Sequence, residues 1–251
     1  MKKKNLLFFP FLWVMGIVLF SCNVGNGKRS GNSQTFQNTL AVVINSDLIT
    51  GETAVGTPYG YLAAPSLTDV STGDCIIMYN FTIDFDHQPT SNYFTISNVD
   101  KDFVSQGSLL PDDTTAIDES TIPISDVTAI VNDPSNAYYQ GKIFLGITCK
   151  DKNPDFRLIY DDSKDKDINS RKTVYLQAKA SSSTPSSSDV GTVYAFDMNS
   201  LSRRDTTISI SGTSVPLKYV AVNLKYLSDI TDDGEPVYTA ANSPLYIYSF
   251  Q

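Results

Sequence analysis

Tryptophan occurs once in this chain of 251 residues, histidine once and cysteine three times. Trp13 lies in an apolar N-terminal run, so the remainder has no indole, the stacking side chain that deep saccharide clefts favour. With His87 alone there is no His-Glu-x-x-His motif, and the chain also lacks a Cys-x-x-Cys pair, a Gly-x-Ser-x-Gly elbow and a Gly-rich phosphate loop. Cations are scarce too: 19 Lys and Arg stand against 27 Asp and Glu. Phosphate backbones repel an acidic chain, which counts against nucleic acid as a partner. What is present is apolar matter. A hydrophobic share of 41%, with 11% aromatic, is enough to bury a core and excludes wholesale disorder. The length suits one large or two modest domains.

Lys2, Lys3 and Lys4 precede Leu6 to Phe20, an uncharged apolar run of 15 residues interrupted by Pro10. A spanning helix wants about 20 apolar residues, so the run is short for a permanent anchor and reads as an export signal over residues 1–21. It ends in Leu19-Phe20-Ser21-Cys22, which resembles a bacterial lipobox, with Leu at −3 and a small residue at −1. In such proteins the cysteine thiol is diacylated and becomes the mature N-terminus, so Cys22 is the expected lipidation site. Two or three acyl chains, at about 0.8 kcal/mol per buried methylene, hold a protein to a bilayer without a spanning helix. Removing residues 1–21 takes away three lysines and leaves 16 positive against 27 negative side chains, a net charge of −11. Residues 22–38 are rich in Gly, Asn and Ser, the composition of a flexible tether.

From Thr39 onward the apolar period is two rather than 3.6. Leu40, Val42 and Ile44 alternate with Ala41 and Val43, and Cys75, Ile77, Tyr79, Phe81 and Ile83 are expected on one face. Ile143, Leu145, Ile147 and Cys149 share another, as do Val220, Val222, Leu224 and Tyr226. Turn formers such as Ser71-Thr72-Gly73-Asp74 and Asp232-Asp233-Gly234 separate these runs. No sustained helical stripe occurs. The pattern predicts an all-β protein, as one large sandwich or a small barrel plus a sandwich. A charged run at 161–171 and a Ser-rich stretch at 181–189 read as protruding hairpin loops.

Several segments resemble the NigD-like lipoproteins, a Bacteroidota family. They are Gly60-Tyr61-Leu62-Ala63-Ala64-Pro65, Thr72-Gly73-Asp74-Cys75 leading into an apolar strand, Tyr139-Gln140-Gly141-Lys142-Ile143-Phe144-Leu145, Phe196-Asp197-Met198-Asn199-Ser200-Leu201, and Val220 to Tyr226. The chain departs from the family where Trp is usual before Gly141-Lys142 and where Asn is common at Gly146. The resemblance implies a small OB-like β domain over 39–88 and an immunoglobulin-like β-sandwich over 89–251, with no established activity. It also places Cys75 in the first domain and Cys149 in the second. Surface-exported lipoproteins of that phylum often carry an acidic run beside the lipidated cysteine, whereas Lys28-Arg29 has the opposite sign. The expected address is therefore the outer membrane, lipid-anchored and facing the periplasm.

Catalytic constellations are thin. Asp86-His87-Gln88-Pro89 reads as a solvated turn rather than part of a Ser-His-Asp arrangement. Two-carboxylate hydrolysis depends on a spacing between acids that sequence separation does not define. Asp165-Lys166-Asp167-Ile168-Asn169 mimics the opening ligands of a calcium loop, making Asp165, Asp167 and Asn169 the weak metal candidates. Ser170 replaces the turn glycine and Leu176 sits where the bidentate Glu belongs, so a solvated hairpin tip is the reading adopted. Cys75 and Cys149 fall on apolar faces. Free buried thiols are expected there, although an oxidising compartment permits a disulfide. The expectation is thus a non-catalytic binding or structural module without cofactor, its protein or glycan partner open. The alternatives are a glycan-binding lipoprotein of a polysaccharide importer, suggested by 14 tyrosines, and a fimbrial or adhesin subunit with an exchangeable C-terminal strand.

Overall fold

Period-two alternation becomes strand almost throughout. The computed structural model describes residues 32–44, 53–58, 60–86, 94–111, 117–129, 138–160, 172–181, 188–201, 204–210, 213–241 and 245–250. In chain order the strands are β1 (Ser33–Ile44), β2 (Ala54–Thr57), β3 (Gly60–Ala63), β4 (Cys75–Asp84), β5 (Phe94–Pro111), β6 (Thr121–Ile122), β7 (Ile124–Ala129) and β8 (Tyr138–Tyr139). They continue with β9 (Lys142–Cys149), β10 (Asp155–Tyr160), β11 (Lys172–Lys179), β12 (Val190–Asp197), β13 (Arg204–Ile210), β14 (Thr213–Ile230), β15 (Pro236–Ala240) and β16 (Leu245–Phe250). The fold is all-β, as the alternation predicts, with no helix among the described residues.

The first five strands close a ring. β1 pairs with β2, β2 with β3 and β4 with β1, all antiparallel; β3 then pairs parallel with β5, and β5 antiparallel with β4. Strand β1 begins at Ser33, within the polar stretch read as tether. Its first half is held by its ladder with β4 and by cross-strand pairs such as Gln37 Nε2 donating to Asn80 Oδ1 at 3.0 Å. Polar side chains in such a ladder leave no hydrophobic alternation to see.

The face expected for β4 is split. Ile76 and Met78 point into the ring and so do Phe81 and Ile83, while Cys75 and Ile77 point out of it. Phe36 gives way to Ala41 and Val43 on β1 with the same change of parity, and Ile96 to Val99 on β5. Asn38 and Asn98 take positive φ, 51° and 54°, at these changes, and the β4–β5 register shifts around Asn80. One irregular residue in a strand exchanges its two faces, and Asn tolerates the left-handed conformation better than most side chains.

Beyond the ring, two ladders face each other. One runs β7, β9, β12 and the segment Ser105–Ser108 of β5; the other joins β10, β11 and β14, with β13, β15 and β16 on β14. Between them lie Ile143, Leu145 and Ile147 of β9, Phe196 of β12, Leu158 of β10 and Leu176 of β11, all buried. The C-terminal strand β16 is paired along β14, from Leu245 opposite Val222 to Phe250 opposite Leu217. The expected domain boundary between 88 and 89 lies outside the described residues. Ring and ladders share β5 and a buried seam in which Leu40, Val42, Cys75 and Val104 meet Phe144 and Ala195, and the described residues belong to one compact unit.

Phe144 is the largest side chain in that seam and is fully buried. Phe144→Ala is expected to lower the unfolding free energy by about 3–5 kcal/mol, through lost burial plus a cavity, measured by urea denaturation.

Candidate functional site

The seam does not stay closed along its length. As β4 advances from Cys75 through Ile77 to Tyr79, and β9 from Phe144 through Gly146 to Thr148, the filled joint opens into a groove of about 740 Å³. One side is formed by Ile77 and Tyr79 of β4 with Asp102, Phe103 and Val104 of β5. The other is formed by Thr128 of β7, Gly146 to Thr148 of β9 and Gly191 to Val193 of β12. Small side chains replace large ones here: Gly146 lies opposite Val193 and Thr128 in the ladder, and Gly191 opposite Thr148.

Gly191 is a glycine that the fold does not demand. A Cβ there would meet only Thr148 Oγ1, at an ordinary 3.7 Å. Gly141 is the contrast, with φ 79° and a Cβ position 2.7 Å from Asn199 Nδ2, so a side chain there would be strained and would displace Asn199. Glycine inside a strand costs roughly 0.5–1 kcal/mol relative to alanine, and where geometry does not require it, it often marks a surface that something approaches closely.

Opposite this floor stands Tyr79, 37% exposed. Phe103 is 54% exposed, but it pairs with Ile76 and shares the face of Lys101, so its ring stands on the other side of the β4–β5 ladder. Lys101 Nζ sits over one face of the Phe103 ring, 4.2 Å from its centroid, and is held 3.0 Å from Asp69 Oδ2. The hydrogen bond from Lys101 lowers the Asp69 carboxyl below its usual range. The Tyr79 hydroxyl donates to Asp102 Oδ2 at 3.2 Å, and this bond, with desolvation and the charges of Asp102 and Asp100, raises the phenol above its ordinary value. Among the described residues Asp102 is the single carboxylate lining the groove, and neither His, Cys, Lys nor Arg lines it. The arrangement offers an apolar platform and hydrogen-bonding groups, without the second carboxylate of a glycosidase or a nucleophile beside a base.

The candidates read from sequence lie elsewhere. Cys22, His87, Asp165, Asp167 and Asn169 are outside the described residues. Among the described residues no three His, Cys, Asp or Glu come together as a metal site. Cys75 and Cys149 are buried free thiols on opposite sides of β9: Cys75 packs in the seam against Phe144, and Cys149 faces the core between the two ladders. Burial pushes the Cys75 thiol up to about 11 and raises Cys149 as well. The buried Asp151 is a structural anchor, accepting hydrogen bonds from the backbone and hydroxyl of Ser181 at 2.9 and 3.1 Å and from the Asn153 backbone at 3.0 Å. Of the groove residues the sequence showed Ile77 and Tyr79 on one strand face and Gly146 as a departure from the family pattern, but not that they meet in one groove.

No protein-family model matches the chain, and no curated protein matches it in sequence. Solved structures do. An uncharacterised protein from Parabacteroides merdae covers 86% of this chain and 99% of its own, at a TM-score of 0.60 and 16% identity. A Bacteroides fragilis protein provisionally named as a lipoprotein covers 85% of this chain and 97% of its own, at 0.52 and 12%. A NigD-like immunity protein from Bacteroides caccae covers 82% and 91%, at 0.47 and 10%. At such identities the likeness is one of fold, and the chain shares its all-β architecture with proteins of this group of bacteria.

Two outcomes follow. Gly191→Ala should raise the unfolding free energy by roughly 0.5–1 kcal/mol in urea titrations, because the added methyl restricts the unfolded chain and meets no clash. A loss of stability would assign the glycine to the fold instead. Both thiols should resist iodoacetamide at pH 8 in the native protein and react on unfolding. A thiol with a pKa of about 11 is about one part in a thousand thiolate at that pH. Rapid native labelling of Cys75 would contradict its burial.

Proposed function

We propose that this chain is a lipid-anchored protein of the bacterial cell envelope whose folded part binds a ligand in the groove and performs no catalysis. The observation that carries the binding reading is Tyr79, exposed and hydrogen-bonded to Asp102, facing a floor kept open by Gly191. The anchor reading rests on the three lysines, the short apolar run and Leu19-Phe20-Ser21-Cys22, with Cys22 as the acylated mature N-terminus. The fold likeness to the Bacteroides fragilis protein named provisionally as a lipoprotein supports the same address. The lysine and arginine after Cys22 favour an outer-membrane position facing the periplasm. The acidic charge, with Asp102 in the groove itself, disfavours nucleic acid as the ligand.

Expression of the full chain in a bacterial host, with the wild type and Cys22→Ala compared by detergent partitioning and intact mass, tests the anchor. The wild type should enter the detergent phase with the mass of an acylated chain beginning at Cys22, and Cys22→Ala should stay in the aqueous phase. Equal partitioning, or a mature chain that begins elsewhere, would refute it.

A further inference from the structure

We infer that the groove takes an extended, cationic peptide that adds as a strand to the open edge of β12, a proposal that rests on reading the groove as the binding site and names its ligand class. Strand β5 pairs with β12 from Ser105 opposite Tyr194 to Ser108 opposite Asp197. Its preceding residues turn to β4 instead, with Val104 opposite Cys75, Phe103 opposite Ile76 and Asp102 opposite Ile77. Among the described residues Val190 to Val193 therefore pair with β9 on one side and with no strand on the other. The side chain of Thr192 has the parity of Tyr194 and Phe196, which face the core between the ladders, so it is backbone that Thr192 presents to the groove. Successive residues of a strand direct their N–H and C=O groups to opposite edges. Two of these four residues thus offer a donor and an acceptor each to an added strand.

Native sheets commonly blunt such edges with charge, proline or a bulge. Strands β7 and β15, each paired on one side among the described residues, carry these devices. The register of β7 shifts between Ile124 and Asp126, and β15 starts at Pro236 and shifts against β14 between Leu227 and Asp229. Val190-Gly191-Thr192-Val193 has no charge and no proline, and its register with β9 is unbroken.

Shape and charge specify the peptide. An added strand turns alternate side chains to one face, and the groove meets that face with Ile77 and Val193, both partly buried, beside Tyr79. Gly146 and Gly191 remove the side chains that would hold it away from the β9 and β12 backbones. The nearby charges are of one sign. Asp102 lines the groove and Asp126 pairs with Thr148 on the opposite side. Asp189 directly precedes β12 and accepts a hydrogen bond from Ser125 Oγ at 3.0 Å. A Lys or Arg of the peptide is attracted here and an Asp or Glu repelled. A second copy of this chain fits less well: two such edges pair over about 13 Å, and each brings the same acidic neighbours.

The test is fluorescence anisotropy with the full chain, purified in non-ionic detergent, and fluorescein-labelled octapeptides of alternating Thr and Val in which one position at a time is Lys. At least one should bind, and its counterpart with Glu in place of Lys should bind at least tenfold more weakly. N-methylation of one alternate set of its backbone amides should weaken binding at least tenfold and of the other set should not, because one set alone faces β12. Asp102→Lys, checked for an unchanged unfolding transition, should weaken binding of the Lys peptide at least tenfold. Three results would each overturn the proposal: equal effects of the two methylated sets, equal binding of the Lys and Glu peptides, or binding indifferent to Asp102→Lys. Binding of none of the peptides would overturn it too, whether the chain sediments as a monomer or, with β12 paired to a second copy, as a dimer. Failure of the underlying site reading is separate: it appears as destabilisation by Gly191→Ala, with no peptide present.

Discussion

The ladder hydrogen bonds of β5 are the constraint on which the rest of the molecule depends. This strand of 18 residues pairs antiparallel with β4 and parallel with β3, then parallel with β12 over Ser105–Ser108, and parallel with β10 over Leu109–Pro111. At about 3.3 Å per residue it extends about 60 Å, so one continuous backbone passes through the ring and both ladders beyond it. Its backbone groups need partners wherever they are buried, and meeting that need in succession ties the ring to the rest. Pro111 closes the strand, where a missing N–H costs least.

The groove is a geometric consequence of that shared strand. Two twisted sheets joined along one segment diverge away from it. Close to the joint the gap is filled by Phe144, Cys75, Val104 and Ala195, all buried. Further along, β9 and β12 carry Gly146, Thr148 and Gly191, and β4 and β5 carry Tyr79 and Asp102. On the β9 and β12 side no side chain of the size of Phe144 follows among the described residues. The absence of such a residue, together with the Tyr79 ring left partly in water, turns a packing seam into an accessible surface. The same geometry separates the two thiols, since β9 lies between the seam holding Cys75 and the core holding Cys149.

Much of the architecture was legible strand by strand. The faces of β9 and of β14 over Val220 to Tyr226 were readable because these stretches keep one register with β12, β11 and β16, so that period two survives intact. The face of β4 was not, because a register shift near Asn80 and the left-handed Asn38 opposite exchange inside for outside halfway along. The first half of β1 was hidden for another reason: Gln37, Thr35 and their partners on β4 are polar, and backbone pairing alone holds them in the sheet. The groove was the least legible feature. Its residues come from five strands spread over Ile77 to Val193, and no local spacing announces that they meet.

Composition and local pattern by themselves determined the acidic balance, the all-β class and most strand positions, because each is written in consecutive residues, and they carry the expectation of an export signal ending before Cys22. Tertiary structure alone decided the closure of the ring through parallel pairing of β3 and β5, and the sharing of β5 between ring and ladders. It also decided which glycines serve the fold and which leave space, as Gly141 and Gly191 do respectively. The physical reason is that alternation reports only whether a side chain faces apolar matter. Which strand supplies that matter, and whether the gap between is filled, is set by hydrogen-bond pairing between segments far apart in the chain.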